Sequence, residues 1–468
     1  MIGHSIRKRI GLVRRPAAIR RSFPSSLPPL PEARQAVYEY YRLDFDANGC
    51  PMRRMPDGRL VFHPILIPYL VADYLNLYRT TKDPACLDYA RQVMDMALSR
   101  AEPGRDELLF YYEPEGGLTA MPHRFYSALT QSWYVKSLAQ LEKICPGAYR
   151  EQLARAFASL LIPIDQGGVL VRRDFGWLVE EYPHEPPLYT LNGWLTAIRW
   201  VLEALPELEQ CNLDCREFLR RNLDAVEHLL PLYDAAFCWN TRYQLTGFTR
   251  LKIVTDRRAG MTCGSFGIDI PGETPLQADL SPPAQSPRWH SHLERQDGRL
   301  LQFNIVQSMI SYPLANRYRA EIRCDQDCTA TVFVADGDYD PALTAMPTTR
   351  WREIGRHDLR TGSNQIDGDI PFDDRNIFAY PTNFKKKIAG RFYNAYHIVH
   401  VIDLAVMYAG TGRQMFADTA RKWLSYMDHW PEMQVLADPQ TSKTSHVYGD
   451  DLSAVVERYL SRPVIRTL

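Results

Sequence analysis

The fold class is decided by the stretch AYHIVHVIDLAVMYAGTGRQMFADTARKWLSYM, residues 395–427. Apolar side chains recur at three- and four-residue spacing on both sides of Gly410-Thr411-Gly412, which predicts two helices, residues 395–408 and 416–427, joined by a tight turn. Similar helical pairs are predicted at residues 65–79 with 87–98, 125–143 with 147–161, and 189–205 with 214–230. The chain is therefore predicted to contain a series of helical hairpins.

The hairpins are interrupted by a segment of different composition, residues 246–384. Pro and Gly are frequent there, and short alternating runs predict β-strands. With this segment removed, the hairpins recur about every 63 residues. We therefore expect a mainly α protein, an α/α-hairpin barrel (an incomplete α/α toroid) with an inserted β-sheet domain. The expected divisions are a basic flexible arm (1–31), an N-terminal helix and connection (32–62), the first part of the barrel (63–245), the insertion (246–384) and the second part of the barrel (385–468).

The overall composition excludes several classes of protein. The 468 residues include 55 basic and 55 acidic side chains, and this zero formal charge argues against a nucleic-acid-binding surface over the whole protein. No run of about 18 apolar residues predicts a transmembrane helix. The nine cysteines are scattered without a C-x-x-C pair, which favours reduced thiols over disulfides or a zinc site.

The N-terminal arm is strongly basic. Residues 1–31 carry basic side chains and no acidic one, and they lack the continuous apolar run of a secretory signal. This composition fits a disordered arm, and it also fits a segment that attaches electrostatically to an anionic membrane or a lipid-linked glycan. The lack of an export signal favours a cytoplasmic protein, at the membrane periphery if the arm binds there.

Aromatic and polar residues concentrate where the helical pairs open. Aromatic rings pack on sugar rings through their faces, so such loops favour a glycan-binding cleft. In chain order, the motifs FYSALTQ (125–131), EEYP (180–183), LNG (191–193), LPLYD (230–234) and RFYNAYHI (391–398) resemble the C-terminal catalytic domain of the D-glucuronyl C5-epimerases. Those enzymes convert glucuronate to iduronate within heparosan-type chains. The resemblance implies a uronate-containing polysaccharide as substrate and no cofactor, and it suggests a homodimer.

Epimerisation at C5 makes specific chemical demands. It needs a base on one face of the sugar ring, an acid on the other, and a group that neutralises the neighbouring carboxylate, whose charge opposes carbanion formation. Phenols suit both proton-transfer roles if nearby cations or donors lower the pKa of the base from about 10. By the resemblance, the catalytic residues are Glu181, Tyr182, Tyr243 and Tyr393.

Further side chains are expected to bind the substrate. Tyr126 and Gln131 would line the groove, and Trp239 competes with Tyr243 for the same space. Thr246 stands where the family has an arginine, so Arg242, Arg124 or His397 is expected to face the sugar carboxylate instead. The expected substrate-binding residues are thus Tyr126, Gln131, Glu180, Asn192, Trp239, Arg242 and His397.

Other functions stay open at this point. Adjacent Glu180 and Glu181 make a poor glycosidase pair on an extended segment, whereas Glu181 with Asp234 would serve a hydrolase. No metal site is expected, because His397 and His400 have no third ligand that the sequence identifies. A uronate lyase would form the same C5 carbanion and expel the C4 substituent. A non-catalytic glycan-binding protein would keep the cleft without the chemistry.

Overall fold

The computed structural model describes residues 23–24, 26–114, 121, 123–211, 213–269, 275–281, 291–311, 316–336, 350–371, 386–388, 391–430 and 451–462. Most of the expected basic arm, residues 1–22, therefore lies outside the described residues. Within the described ranges, no helix is long and apolar enough to cross a membrane. All nine cysteines are free thiols, as the sequence predicts.

Helices dominate both ends of the chain. Within the described residues they are α1 (Glu32–Tyr41), α2 (Leu66–Thr81), α3 (Pro84–Leu98), α4 (Ala128–Ile144), α5 (Arg150–Ala158), α6 (Leu191–Glu209), α7 (Cys215–Tyr233), α8 (Ala395–Thr411), α9 (Gln414–Tyr426) and α10 (Leu452–Leu460). The four predicted hairpins are confirmed as the pairs α2–α3, α4–α5, α6–α7 and α8–α9, with boundaries shifted by a few residues.

Local capping explains where α8 begins and ends. The Asn394 side chain accepts a hydrogen bond from the His397 backbone N–H at 3.2 Å, which satisfies one of the donors left free at a helix start. Gly412 ends the helix in the left-handed conformation, with φ of 72°, and its N–H donates to the Tyr408 carbonyl at 2.8 Å. The Gly-Thr-Gly turn thus has the geometry that its sequence predicts.

The helical pairs pack side by side around one apolar core. The first helix of each pair contacts the first helix of the next, α2 with α4, α4 with α6, and α6 with α8. The second helices, α3, α5, α7 and α9, pack against their own first helices. Apolar residues from all eight helices join in this core. Closure of this row into a barrel or toroid remains a prediction.

Strands accompany the helices, so the expectation of a mainly α protein is met only in part. The strands are β1 (Leu43–Phe45), β2 (Pro51–Arg54), β3 (Leu60–Val61), β4 (Glu102–Pro103), β5 (Leu108–Leu109), β6 (Leu170–Arg173), β7 (Gly176–Val179), β8 (Asp234–Ala235), β9 (Asn240–Thr241), β10 (Thr246–Thr255), β11 (Thr262–Asp269), β12 (Leu276–Gln277), β13 (His292–Asp297), β14 (Leu300–Ser308), β15 (Asn316–Cys324), β16 (Cys328–Asp336), β17 (Arg350–Leu359), β18 (Gly362–Ile370), β19 (Lys386–Ile388) and β20 (Arg391–Tyr393).

Strands β10 to β18 form two antiparallel sheets that share a second apolar core. The strand orders are β13-β14-β10-β16-β17 and β12-β11-β15-β18. In β15, alternate residues from Asn316 to Cys324 are buried, as expected for a strand with one face on a core. The two sheets pack as a sandwich around side chains such as Phe266, Phe303 and Val332. A Met309 N–H that donates to the Leu245 carbonyl at 2.9 Å ties the sandwich to the helical part.

Candidate active site

The EEYP and LNG motifs meet at the start of α6. The Asn192 side-chain amide donates to the Glu181 carboxylate at 3.0 Å. A Cβ atom on Gly193 would lie 2.6 Å from the Glu181 Cβ and 2.8 Å from Oε2, so only glycine leaves room for this approach. The helix N-terminus favours a negative charge at this position. The two motifs therefore hold a carboxylate at the start of α6.

Backbone hydrogen bonds bring Tyr243 to the same place. The first N–H of α6, on Leu191, donates to the Tyr243 carbonyl at 2.9 Å. The Thr246 hydroxyl donates to the Pro187 carbonyl at 2.7 Å, so the segment before β10 lies along the loop before α6. The residue found where the family has an arginine, Thr246, thus has a structural role here.

Glu181, Tyr182, Tyr243 and Tyr396 form one group, which we call the tyrosine–glutamate cluster. Tyr182 and Tyr243 lie close enough to the Glu181 carboxylate to lower its pKa through hydrogen bonding. Tyr243 acts on the pKa of Tyr182 and of Tyr396 in the same way, and its ring meets that of Tyr396 edge-on with centroids 4.7 Å apart. Tyr182, Tyr243 and Tyr396 are each intermediate between buried and exposed residues. The structure brings together the side chains of three of the four expected catalytic residues.

Burial and mutual charge shift the proton affinities in this cluster. Burial raises the pKa of Glu181 to about 7, although hydrogen bonds from Tyr182, Asn192 and Tyr243 oppose the shift. Burial, followed by the negative charge of Glu181, raises the pKa of Tyr182, Tyr243 and Tyr396 above the ordinary value. The expectation of a phenol with a lowered pKa is not met. These phenols are proton donors at rest, and Glu181 is the group that changes charge near neutral pH.

A second wall, from the N-terminal part of the chain, adjoins the cluster. His63 is 4% exposed, and its ring lies 5.3 Å from that of Tyr41 and 5.2 Å from that of Tyr112. Both of its ring nitrogens are without a hydrogen-bond partner among the described residues. Burial, and then the charge of Arg53, lower the pKa of His63 to about 3. The negative charge of Glu181 also raises the pKa of Tyr41, so this wall lies near the cluster.

Glu180 holds a loop and is turned away from Glu181. Its Oε1 accepts from the Tyr189 N–H at 2.8 Å, and this bond supports a residue with a φ of 56°. Burial raises the pKa of Glu180 to about 8. Glu180, which was predicted to bind the substrate, instead supports the loop before α6.

Two residues expected to line the groove are buried in the packing between elements. The Tyr126 hydroxyl donates to the Ser159 carbonyl at 3.0 Å, and its side chain is 1% exposed. The Gln131 amide donates to the Leu108 carbonyl at 2.7 Å and accepts from the Phe110 N–H at 3.2 Å. Because these bonds occupy their polar groups, the structure does not bring Tyr126 or Gln131 to the cluster.

The expected carboxylate-binding cations also lie elsewhere. Arg242 donates to the carbonyls of Leu232 and Asp234 at 3.0 and 2.8 Å. His397 is fully buried, and its Nε2 lies 2.9 Å from the Trp423 carbonyl.

Trp239 and Asp234, the two other candidates from the sequence, contact residues away from the cluster. Trp239 is 40% exposed and stacks on His429 at 3.7 Å, rather than on Tyr243. The carboxylate of Asp234, the hydrolase partner considered for Glu181, is bound by Tyr426 at 2.7 Å and by Lys422. The structure therefore does not pair Asp234 with Glu181.

Tyr396, which the sequence reasoning missed, belongs to the cluster. The side chain of Tyr393 lies outside the described residues, although its backbone pairs with Lys386 in the β19–β20 hairpin. The missed signal is helical spacing, because Tyr396, Val399 and Asp403 form one stripe of α8, whereas His397 lies on another.

Comparison with known proteins agrees with this geometry. The family model described as D-glucuronyl C5-epimerase C-terminus matches residues 107–258, which confirms the resemblance over that segment. The match includes Glu181, Tyr182, Asn192 and Tyr243. An uncharacterized protein of Methanocaldococcus jannaschii is 25% identical over 210 residues, which cover 44% of this chain and 59% of that protein. The match thus shows similarity to the epimerase C-terminal domain over residues 107–258, and the activity, substrate and mechanism of this chain are matters for proposal.

Proposed function

We propose that this protein inverts C5 of a uronate residue within a glycan chain. The observation that carries the proposal is the tyrosine–glutamate cluster, in which three tyrosines of intermediate exposure and one carboxyl group lie close enough to shift one another's pKa values. A uronate bound against these phenols has acid and base groups within reach of one carbon. The family match over residues 107–258 supports the same class of reaction.

The raised phenol pKa values favour a proton relay over a resting tyrosinate. Tyr182 takes the C5 proton while its own hydroxyl proton passes to the Glu181 carboxylate, so no free phenolate is needed. A second phenol, Tyr243 or Tyr396, gives its proton to the opposite face of C5, while the proton held by Glu181 passes to that phenol, directly to Tyr243 or through Tyr243 to Tyr396, so that the cluster returns to its starting state. The relay requires ionised Glu181, whose pKa of about 7 suits a base that works near neutral pH.

The uronate carboxylate needs a cation, and Arg53 is our candidate. Arg53 lies on β2 at the wall formed by Tyr41 and His63, where its charge lowers the pKa of both side chains. His63 offers a ring N–H without a partner among the described residues beside the same space. We expect a charge-assisted contact there to stabilise the doubly negative carbanion intermediate.

The test is isotope exchange in deuterated water with a glucuronate-containing polysaccharide. Deuterium at C5 with intact chains, seen by NMR, supports epimerisation. An unsaturated-uronate absorbance identifies a lyase, and new reducing ends identify a hydrolase. Binding without any of these changes identifies a non-catalytic glycan-binding protein.

Three variants refine this test. Tyr182→Phe should abolish exchange, and Tyr396→Phe should reduce it more than Tyr393→Phe does. Tyr318→Phe is the matched control, because that phenol is buried in the sandwich and contacts His357 Nε2 at 2.8 Å. Exchange that persists in Tyr182→Phe would contradict the relay.

A further inference from the structure

A second group of side chains lies on the first helices of three successive hairpins. Trp133 and Lys136 of α4 and Trp200 of α6 form what we call the lysine–tryptophan cluster. The Lys136 ammonium lies 3.4 Å from the ring centroid of Trp200 and 4.3 Å from that of Trp133. Tyr69 of α2 extends the cluster, with its ring centroid 4.6 Å from that of Trp133. The cluster therefore places the Lys136 ammonium on a continuous aromatic surface, whose edges also contact Arg199, 4.3 Å from the Trp200 centroid, and Arg34, 5.7 Å from the Tyr69 centroid.

No carboxylate among the described residues forms a direct ion pair with this lysine, although the charges of Glu203 and Asp73 act on it from a distance. Lys136 forms no ion pair or hydrogen bond in that part of the chain, and the acids whose charges reach it are bound to other groups. Arg199 binds Glu203 at 3.1 Å and Asp403 at 2.8 Å, while Arg34 binds Asp73 at 2.9 Å. Each carboxylate near Lys136 is thus bound to an arginine, with Glu203 and Asp403 sharing Arg199.

Other polar groups here also point to a ligand. Trp200 is 2% exposed, and its Nε1–H has no hydrogen-bond partner among the described residues. The same holds for the side-chain oxygen of Gln140, one helical turn beyond Lys136. Trp133, Lys136 and Tyr69 retain partial exposure, so solutes reach this surface. Burial lowers the pKa of Lys136 to about 7, because the charged ammonium loses hydration energy there. A bound anion would offset this loss.

Aromatic contacts connect this surface to the tyrosine–glutamate cluster. The ring of Tyr69 lies 6.1 Å from that of Tyr41, with which it hydrogen-bonds. The negative charge of Glu181 in turn raises the pKa of Tyr41. One polymer that passes the reacting position would therefore reach both clusters.

We propose that the lysine–tryptophan cluster is a subsite for an anionic sugar residue of the same glycan chain, with Lys136 binding its carboxylate or sulfate group. The subsite rests on the proposed function for the identity of the polymer. A sugar ring would pack on the exposed parts of Tyr69 and Trp133, and the ammonium would make a charge-assisted hydrogen bond to the anion.

The experiment compares Lys136→Met and Lys136→Arg with a matched control, Lys252→Met. Lys252 also lies over aromatic rings, 4.2 Å from Trp351 and 5.0 Å from Phe333, but in the sandwich. Calorimetry would measure binding of glucuronate-containing oligosaccharides, with and without N-sulfate groups, and of carboxyl-reduced neutral analogues. Thermal melting would confirm that each variant is folded.

We expect Lys136→Met to weaken binding of the anionic oligosaccharides about tenfold and to reduce its salt dependence. Lys136→Arg and Lys252→Met should bind like the wild type, and the neutral analogue should not distinguish the proteins. A larger loss with the N-sulfated chain would assign the contact to sulfate, and an equal loss would assign it to carboxylate. In the exchange assay, KM should rise while kcat stays within about twofold.

The two proposals fail in different ways. A wild type that binds anionic chains through Lys136 but shows no C5 exchange would overturn the epimerase and leave the subsite. A wild type that exchanges C5 hydrogen while Lys136→Met keeps its affinity and KM would overturn the subsite alone. Equal losses in Lys136→Met and Lys252→Met, or no binding of any anionic oligosaccharide, would also overturn the subsite.

Discussion

The helical part and the β-sandwich differ in the burial of their carboxyl groups and in the direction of the resulting pKa shifts. In the helical part, Glu180 and Glu181 are buried, with pKa values raised mainly by burial to about 8 and about 7. In the sandwich, Asp256 and Asp327 are exposed, and hydrogen bonds from backbone N–H groups are the main cause of their lowered pKa values. The sandwich interior is built largely from apolar side chains.

This difference separates the part that carries chemistry from the part that supports it. Buried carboxyl groups with raised pKa values cost stability, and such groups concentrate at functional sites. An apolar core with charges at the surface is the arrangement that stability alone favours. The contrast places the proposed reaction in the helical part and predicts that the sandwich tolerates surface changes without loss of chemistry.

The largest expected effect is on catalysis at Glu181. Glu181→Gln should lower C5 exchange by roughly 10²–10⁴-fold, because the relay from Tyr182 loses its acceptor. The wild-type rate should rise with pH through about 7 as Glu181 ionises, and this rise should disappear in the variant. Exchange rates by NMR across the pH range would check both. An unchanged pH profile in Glu181→Gln would show that another residue is the base.

The sandwich should respond to mutation through stability rather than rate. The Phe303 ring is fully buried and stacks on Phe266 with centroids 4.0 Å apart. Phe303→Ala should cost about 3–5 kcal/mol of unfolding free energy, because it leaves a cavity. Denaturant unfolding would measure the loss, and activity per folded molecule should stay close to that of the wild type. A specific loss of activity would break the contrast between the two parts.

A pair of helical glycines sharpens the contrast within the helical part. Gly193→Ala should cost about 1–3 kcal/mol and displace Glu181, because the new methyl group overlaps that side chain. Gly410→Ala is the control, since its nearest neighbours, on Leu202, are at 3.7 Å or more. This control should gain up to about 1 kcal/mol from helix propensity. Equal effects of the two substitutions would argue against the close approach at Gly193.

The last effect, small at any single pH step, is on the pH dependence of stability. The folded-state pKa of Glu180, about 8, lies above the value of about 4.3 in an unfolded chain. The folded protein therefore binds more protons between these pH values, and stability falls as the pH rises across this window. Glu180→Gln should reduce the slope by about 1 kcal/mol per pH unit. Thermal melting from pH 5 to 8 would show it, and a slope unchanged in the variant would contradict the assignment.

Local patterns were enough for the helical pairs and for much of the cluster. The apolar spacing of residues 395–427 predicts the α8–α9 hairpin because a helix repeats its faces over three to four residues. The EEYP and LNG motifs predict that Glu181 and Asn192 act together, and a hydrogen bond joins them. Such reasoning can place residues that are close in sequence or that match a family motif.

What the sequence determined by itself was thus the order of helices and strands, and the residue types that suit proton transfer at a uronate. Only the tertiary structure decided which of them meet. It joined Tyr396 to the cluster, buried Gln131 and His397 in other contacts, and raised the phenol pKa values that were expected to fall. The physical reason is that side-chain direction and burial depend on packing between distant segments, and local spacing does not contain that information.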